Sequence, residues 1–223
     1  MRPSASWQFQ IFNFPVRVHV TFLLFAVLFG VAFIGFEPVR LALWILIVFF
    51  SILVHELGHA FANQMLGRSS YIEMHGMGGL TFSNKFGRTS YLQEIFVTFA
   101  GPLAGFLLAG LVFLLLRFAG PIGNSYVSFL VAQLLWVNIA WGIFNLIPIL
   151  PLDGGNIMRN IVHWIRGPYD DRTPLIISIV FGVLTMIAVL VLFRSMYMLL
   201  LIGMLTLSNW QKLRQGFYTD TIY

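Results

Sequence analysis

The sequence predicts an all-α polytopic membrane protein of about six transmembrane helices with one small membrane-associated β-hairpin. Three observations carry this. The 223 residues are 59% hydrophobic and only 9% charged, against about 25% charged in soluble domains. Their apolar residues fall into six long runs. Between the second and third runs lies a glycine-rich polar segment flanked by short extended stretches. With so few charges no solvated surface can be built, so lipid is the solvent for most of the chain.

A spanning helix needs about 20 mostly apolar residues. The six runs are Val18–Phe36, Leu41–Met65, Leu92–Phe118, Tyr126–Leu150, Leu175–Phe193 and Met196–Asn209. The last is short and follows the fifth after only Arg194 and Ser195, so it is either a tight hairpin partner or a partly interfacial helix. Met1–Phe14 has one arginine and no small-residue cleavage site, and reads as a retained cytosolic end.

An even number of spans puts both termini on one side. With that side inside, the inner segments hold ten basic residues and the outer segments three, Arg40, Arg117 and Arg194. The bias predicts a multi-pass protein of the cell membrane with cytosolic termini. The basic residues are scattered singly between apolar runs, which argues against nucleic-acid binding despite a net charge of +5. With no cysteine, disulfides and thiolate-ligated metals are excluded.

Two inner segments exceed what a connector needs. In Gly67–Tyr91, Tyr71–His75 and Leu80–Ser83 flank Gly76-Met77-Gly78-Gly79, the pattern of a β-hairpin or a re-entrant loop. Pro151–Pro174 holds Leu152-Asp153-Gly154-Gly155 and an amphipathic stretch, Asn156–Ile165. No internal repeat or soluble domain is visible, so residues 1–223 read as one domain, with the motifs in 18–155 and C-terminal helices in 156–223.

The second run contains His55-Glu56-Leu57-Gly58-His59. Residues four apart share a helical face, so both imidazoles can aim at one ion. Glu56, one step round, can reach a water on that ion and act as general base. Ionisable side chains inside a span cost about 2.5–3.5 kcal/mol each on insertion scales, so three in five residues need partners. The bland alternative is a hydrogen-bonded polar cluster holding helices together.

Catalytic zinc uses three protein ligands. Candidates for the third are His19, Glu73, His75, Glu94, Asp153 and His163. Asp153 is the best placed, in Asn145-Leu146-Ile147-Pro148-Ile149-Leu150-Pro151-Leu152-Asp153-Gly154-Gly155. Pro148 and Pro151 cannot continue a helix and unwind the chain where a carboxylate must turn inward. On spacing alone, an aspartate that merely caps the next helix fits equally well. Asn145 can donate to a developing oxyanion. Asn138, seven residues earlier, fits an interhelical hydrogen bond better, and the Gly101, Gly105, Ala109 stripe fits close helix packing.

HELGH in one span and NLIPILPLDGG at the end of another closely resemble the site-2 proteases, the intramembrane zinc metalloproteases. The resemblance extends to Gly101-Pro102-Leu103-Ala104-Gly105 and to the glycine-rich segment after HELGH, and covers roughly Val18 to Gly155. It implies one zinc per chain on His55, His59 and Asp153, Glu56 as base and Asn145 at the oxyanion. It also implies that the hairpin offers a strand edge to an extended substrate, with Ile72, Met74, Gly78, Gly79, Leu80 and Phe82 as contacts; the plainer alternative is that this loop is only a lid. The expected partners are a transmembrane protein substrate, the lipid bilayer and a regulatory membrane protein of unknown identity. Neither a PDZ-like nor a nucleotide-sensing domain lies within these residues, so substrate choice falls to the membrane core or to a partner. Two other readings use the same metal: a hydrolase of lipid amides and a zinc transporter, although paired sites or repeat symmetry expected of a transporter are not seen.

Overall fold

The computed structural model describes residues 6–84, 89–119, 122–193 and 195–215. Residues 1–5 and 216–223, which the charge bias places in the cytosol, lie outside them, as do Lys85, Arg88 and Arg194. The contacts form two compact units: Met1–Arg88 with Ala100–Ile143, and Thr89–Phe99 with Phe144–Tyr223.

The first unit opens on two strands that the sequence reading passed over as a plain cytosolic end. Strand β1 (Ser6–Ile11) and strand β2 (Phe14–His19) pair antiparallel. The two-residue turn is Phe12-Asn13, both left-handed at φ 48° and 71°, which matches the twist of the flanking strands. In β2 the residues alternate: Phe14, Val16 and Val18 are buried, while Pro15 and Arg17 face out. This period of two is the strand signature. It corrects the start of the first apolar run, because Val18 belongs to β2.

Helix α1 (Val20–Ile34) follows β2 without a linker and is only 15 residues long. Gly35, at φ 82°, closes it through a bond to the Val31 carbonyl, and Pro38 opens helix α2 (Pro38–Met65). At 1.5 Å per residue α2 is about 42 Å long, more than the roughly 30 Å hydrocarbon core of a bilayer. The two helices pack closely at Gly30, where a side chain would collide with Leu41 and Trp44. Trp44 Nε1 donates to the Ala26 carbonyl at 3.1 Å.

After α2 come strand β3 (Ser70–His75) and strand β4 (Gly78–Ser83), the hairpin expected from the glycines. β3 also pairs in parallel with β2, joining Val16 to Ile72 and Val18 to Met74. One four-stranded sheet results, ordered β1-β2-β3-β4, so the hairpin is half of a larger element. Phe14, Val16, Val18, Ile72 and Met74 fill its core against Phe22 of α1 and Ile52, Leu53 and Ala60 of α2.

Helix α3 (Tyr91–Ala119) and helix α4 (Ser125–Asn145) are each shared between the two units. α4 ends at Asn145, five residues before the end of the apolar run, because Pro148 and Pro151 cannot extend it. The second unit continues through helix α5 (Asp153–Arg166) and helix α6 (Arg172–Ala188), which runs into a π-helical turn at Val189–Phe193. Helix α7 (Met196–Gln215) follows at once. It folds back on α6 as a tight hairpin: a side chain at Gly182 would overlap Thr206, and Gly203 lies against Met186. Ile149, Val189, Ile202 and Leu205 form the core of this unit.

Among the described residues, four helices are long and apolar enough to cross a membrane: Pro38–Met65, Tyr91–Phe118, Ser125–Asn145 and Arg172–Leu192. The chain is a membrane protein of mostly helical fold with one small sheet. α1 is apolar but shorter, and α7 ends in a polar half.

Candidate metal centre and catalytic groups

His55, Glu56 and His59 are all buried in the C-terminal half of α2, at 4%, 4% and 8% exposure. The two imidazoles face one another, with their Nε2 atoms 3.2 Å apart. Two nitrogens bound to one tetrahedral zinc at 2.0–2.1 Å stand about 3.3 Å apart. The pair is therefore already spaced as a two-nitrogen clamp for such an ion.

Small residues make room for it. A β-carbon at Gly101 of α3 would overlap the His59 ring, and one at Gly58 would strike the Ala100 carbonyl. The small-residue stripe packs helices closely, as its spacing predicted. At Gly101 the thing packed is the His59 ring itself. Asn138 has the interhelical role expected of it: Nδ2 donates to Ser51 Oγ at 2.9 Å, one helical turn before His55.

Glu56 meets strand β4. The Thr81 hydroxyl lies 2.7 Å from Glu56 Oε2 and 3.0 Å from the Glu56 main-chain carbonyl, and donates to these oxygens. Gly79, two residues earlier on the same strand, leaves space for the carboxylate, which any side chain there would displace. Sequence reasoning did not single out Thr81. A threonine in a strand has no special spacing to α2, and only the fold brings it there.

The other histidine and carboxylate candidates of this unit have different roles. Glu73 is paired with Arg17 at 2.9 Å and lies 3.8 Å from His19 across the β2–β3 boundary. His75 Nδ1 accepts from the Met77 amide in the hairpin turn. Ile72 and Met74, expected among the substrate contacts, are fully buried core residues on a strand paired on both sides. They cannot present an edge or a side chain to a substrate. Gly78, Gly79, Leu80 and Phe82 lie on β4, which is the outer strand of the sheet on this side. Leu80 and Phe82 are exposed, and Phe82 stacks on Tyr71 with centroids 4.9 Å apart.

In the second unit, Asn145 is buried at the end of α4. Asp153 is the first residue of α5. The residue before it, Leu152, is the helix cap and makes no side-chain cap bond. Gly154 and Gly155 let the first turn of α5 lie directly on the preceding loop, since β-carbons there would overlap the Leu146 carbonyl and the Ile149–Leu150 peptide. His163, another candidate, lies 2.9 Å from Asp171.

Residues 18–152 match the profile of peptidase M50B-like proteins, more than half of the chain, and residues 117–189 match peptidase family M50. The chain belongs to peptidase family M50. This M50 member is 30% identical over 195 residues to a zinc metalloprotease of Methanocaldococcus jannaschii, covering 82% of this chain and 56% of the relative. A protein of Synechocystis sp. is 35% identical over 124 residues, 55% of this chain and 32% of its own. The chain thus spans about half or less of the length of these relatives. A site-2 protease structure from Methanocaldococcus jannaschii is similar with a TM-score of 0.64 and 26% identity, covering 98% of this chain and all of that one.

Proposed function

We propose that this M50 member is an intramembrane zinc metalloprotease that hydrolyses peptide bonds within or near the transmembrane segments of other proteins. The observation that carries the reading is the buried His55–His59 clamp on a spanning helix, with Glu56 between the two and held by Thr81. The related zinc metalloprotease and the similar site-2 protease structure support the metal and the reaction. His55 and His59, with Asp153 as the third ligand that the family resemblance implies, are the ligand set for one zinc per chain. Two neutral imidazoles and a carboxylate suit this ion and leave one position open.

Zinc held there would supply an activated water, of pKa about 7, and Lewis acidity toward a carbonyl oxygen. Glu56 takes the water's proton on its carboxylate and delivers it to the leaving amine. Thr81 fixes the rotamer of Glu56 by holding Oε2. Asn145 donates its side-chain N–H to the oxygen on which negative charge develops. A helical substrate hides its carbonyls in its own hydrogen bonds and must become extended to be cut. β4, the outer strand beside Glu56, offers backbone groups for the extended form, with Gly78, Gly79, Leu80 and Phe82 as contacts.

The same proposal includes six spans, α1 and α7 among them, cytosolic termini, a transmembrane protein as substrate and a separate membrane protein as regulator. It takes residues 1–223 as one domain, supported by two helices, α3 and α4, that run unbroken from one unit into the other. The test is purification in detergent, metal analysis and incubation with a panel of single-span proteins. The parent is expected to carry zinc and to cut at least one of them, and Glu56→Gln to keep zinc and cut none. Release of fatty acid from lipid amides with no peptide cleavage would overturn the protease reading, and so would zinc flux that survives Glu56→Gln.

A further inference from the structure

The loop between α4 and α5 contains two prolines and makes no regular ladder, yet its backbone is tied at nearly every step. Leu150 is its centre, three residues before Asp153. The Leu150 amide donates to Ser178 Oγ of α6 at 3.1 Å. The Leu150 carbonyl accepts from Asn209 Nδ2 of α7 at 2.8 Å. The neighbouring Pro151 carbonyl accepts from Asn156 Nδ2 at 2.9 Å. Ser178 is fully buried and Asn209 is 2% exposed.

A backbone group without a partner costs several kcal/mol in a membrane interior, so a non-helical loop survives there only where the protein supplies partners. Two helices distant in sequence each supply one, and both serve the same residue. Polar side chains in membrane helices usually hold helix to helix. These two hold a peptide. Beside them, Ile149 is fully buried against Val189, Ile202 and Leu205, and the first turn of α5 rests on the same stretch through Gly154 and Gly155. Any movement of Leu150 is therefore passed to the start of α5, which carries Asp153.

We propose that Ser178 and Asn209 are positioning residues of the metal centre, acting through the Leu150 peptide to fix the direction of Asp153. This gives α6 and α7 a defined part in the chemistry. The inference rests on the reading of Asp153 as a zinc ligand. Outer-shell partners that orient a ligand typically contribute 10–100-fold to metal affinity or activity.

The test uses the full chain in detergent, with Ser178→Ala, Asn209→Leu, Asp153→Ala and, as a control, Thr185→Val, whose hydroxyl bonds back to Phe181 of its own helix. Ser178→Ala removes one oxygen and keeps a folded variant available if Asn209→Leu fails to fold. Zinc affinity is measured by chelator competition, and the visible spectrum of the cobalt-loaded protein reports the ligand geometry. Ser178→Ala and Asn209→Leu are expected to weaken zinc about tenfold and to move the cobalt spectrum toward that of Asp153→Ala, with Thr185→Val like the parent. Parental zinc affinity in both variants overturns the inference. A loss of affinity with an unaltered cobalt spectrum overturns it too, since it would show general weakening. If Asp153→Ala itself changes neither affinity nor spectrum, the ligand reading of Asp153 fails first, and the positioning role of Ser178 and Asn209 falls with it.

Discussion

A single β-carbon at Gly101 or Gly79 would separate the two halves of the chemistry. Alanine is the better helix former by about 1 kcal/mol, yet Gly101→Ala in α3 must push the His59 ring aside. Zinc affinity is expected to fall at least about tenfold, read by chelator competition. Gly79→Ala pushes Glu56 instead, so zinc content should stay at the parental level while kcat falls, by up to the roughly 100-fold lower bound for general-base catalysis. Thr81→Val removes the donor to Glu56 Oε2 and should cost about tenfold in kcat, with Thr81→Ser near the parent. Equal kcat in Thr81→Val and parent would show that Glu56 needs no such support. The His-Glu-His constellation was legible in the sequence because helical geometry alone puts residues four apart on one face. Thr81 was not, since its distance from Glu56 is set by the sheet, 25 residues further on.

At the scale of elements, the sheet decides which strand a substrate can use. β3 is paired on both sides, and β4 on one. In an antiparallel pair only alternate residues point their N–H groups away from the partner, and proline cannot donate. A proline scan across Gly79–Ser83 should therefore show a period of two. At outward positions cleavage of a helical substrate falls with zinc retained, and at inward positions the sheet itself is damaged. Alanine at Leu80, Thr81, Phe82 and Ser83 separates backbone from side-chain effects. Uniformly parental cleavage across the proline series would leave β4 as a lid only. At the start of α6, the Thr173 amide and hydroxyl bind the Asp170 carboxylate and hold its pKa below the ordinary range. The bond lends stability above the unfolded value near pH 4 and loses it as pH falls through the folded one. Amide exchange at Thr173 should rise over that interval, and Asp170→Asn should abolish the dependence. The hairpin after α2 was legible from its glycines. The one before α1 was hidden because β2 passes into α1 without a break, so strand and helix merge into one apolar run and only the Val16-Arg17-Val18 alternation marks the change.

For the molecule as a whole, the parallel pairing of β2 with β3 bears on orientation independently of charge. The chain enters α1 from β2 and leaves α2 for β3, and both strands sit in one sheet. In the proposed topology the segments before α1 and after α2 therefore share one side of the bilayer, and the ten-to-three basic bias predicts that this side is the cytosol. Single cysteines at Gln10, Ser69 and Ser90 should all react with an impermeant thiol reagent only after the cytosolic face is opened. Labelling of all three in intact cells would invert the topology, and labelling of Gln10 from the face opposite Ser69 would contradict the sheet. The same pairing has a consequence for biogenesis. Val16 must wait for Ile72, so the sheet cannot close until the whole α1–α2 hairpin has been made and inserted. A chain in which only one of those helices crosses would leave β2 and β3 on opposite faces of the bilayer. β4 would then have no sheet to join, and Glu56 no threonine to hold it. If α1 and α2 both span as proposed, the sheet acts as an insertion checkpoint: Glu56 is set in place only in copies whose first hairpin has been threaded correctly.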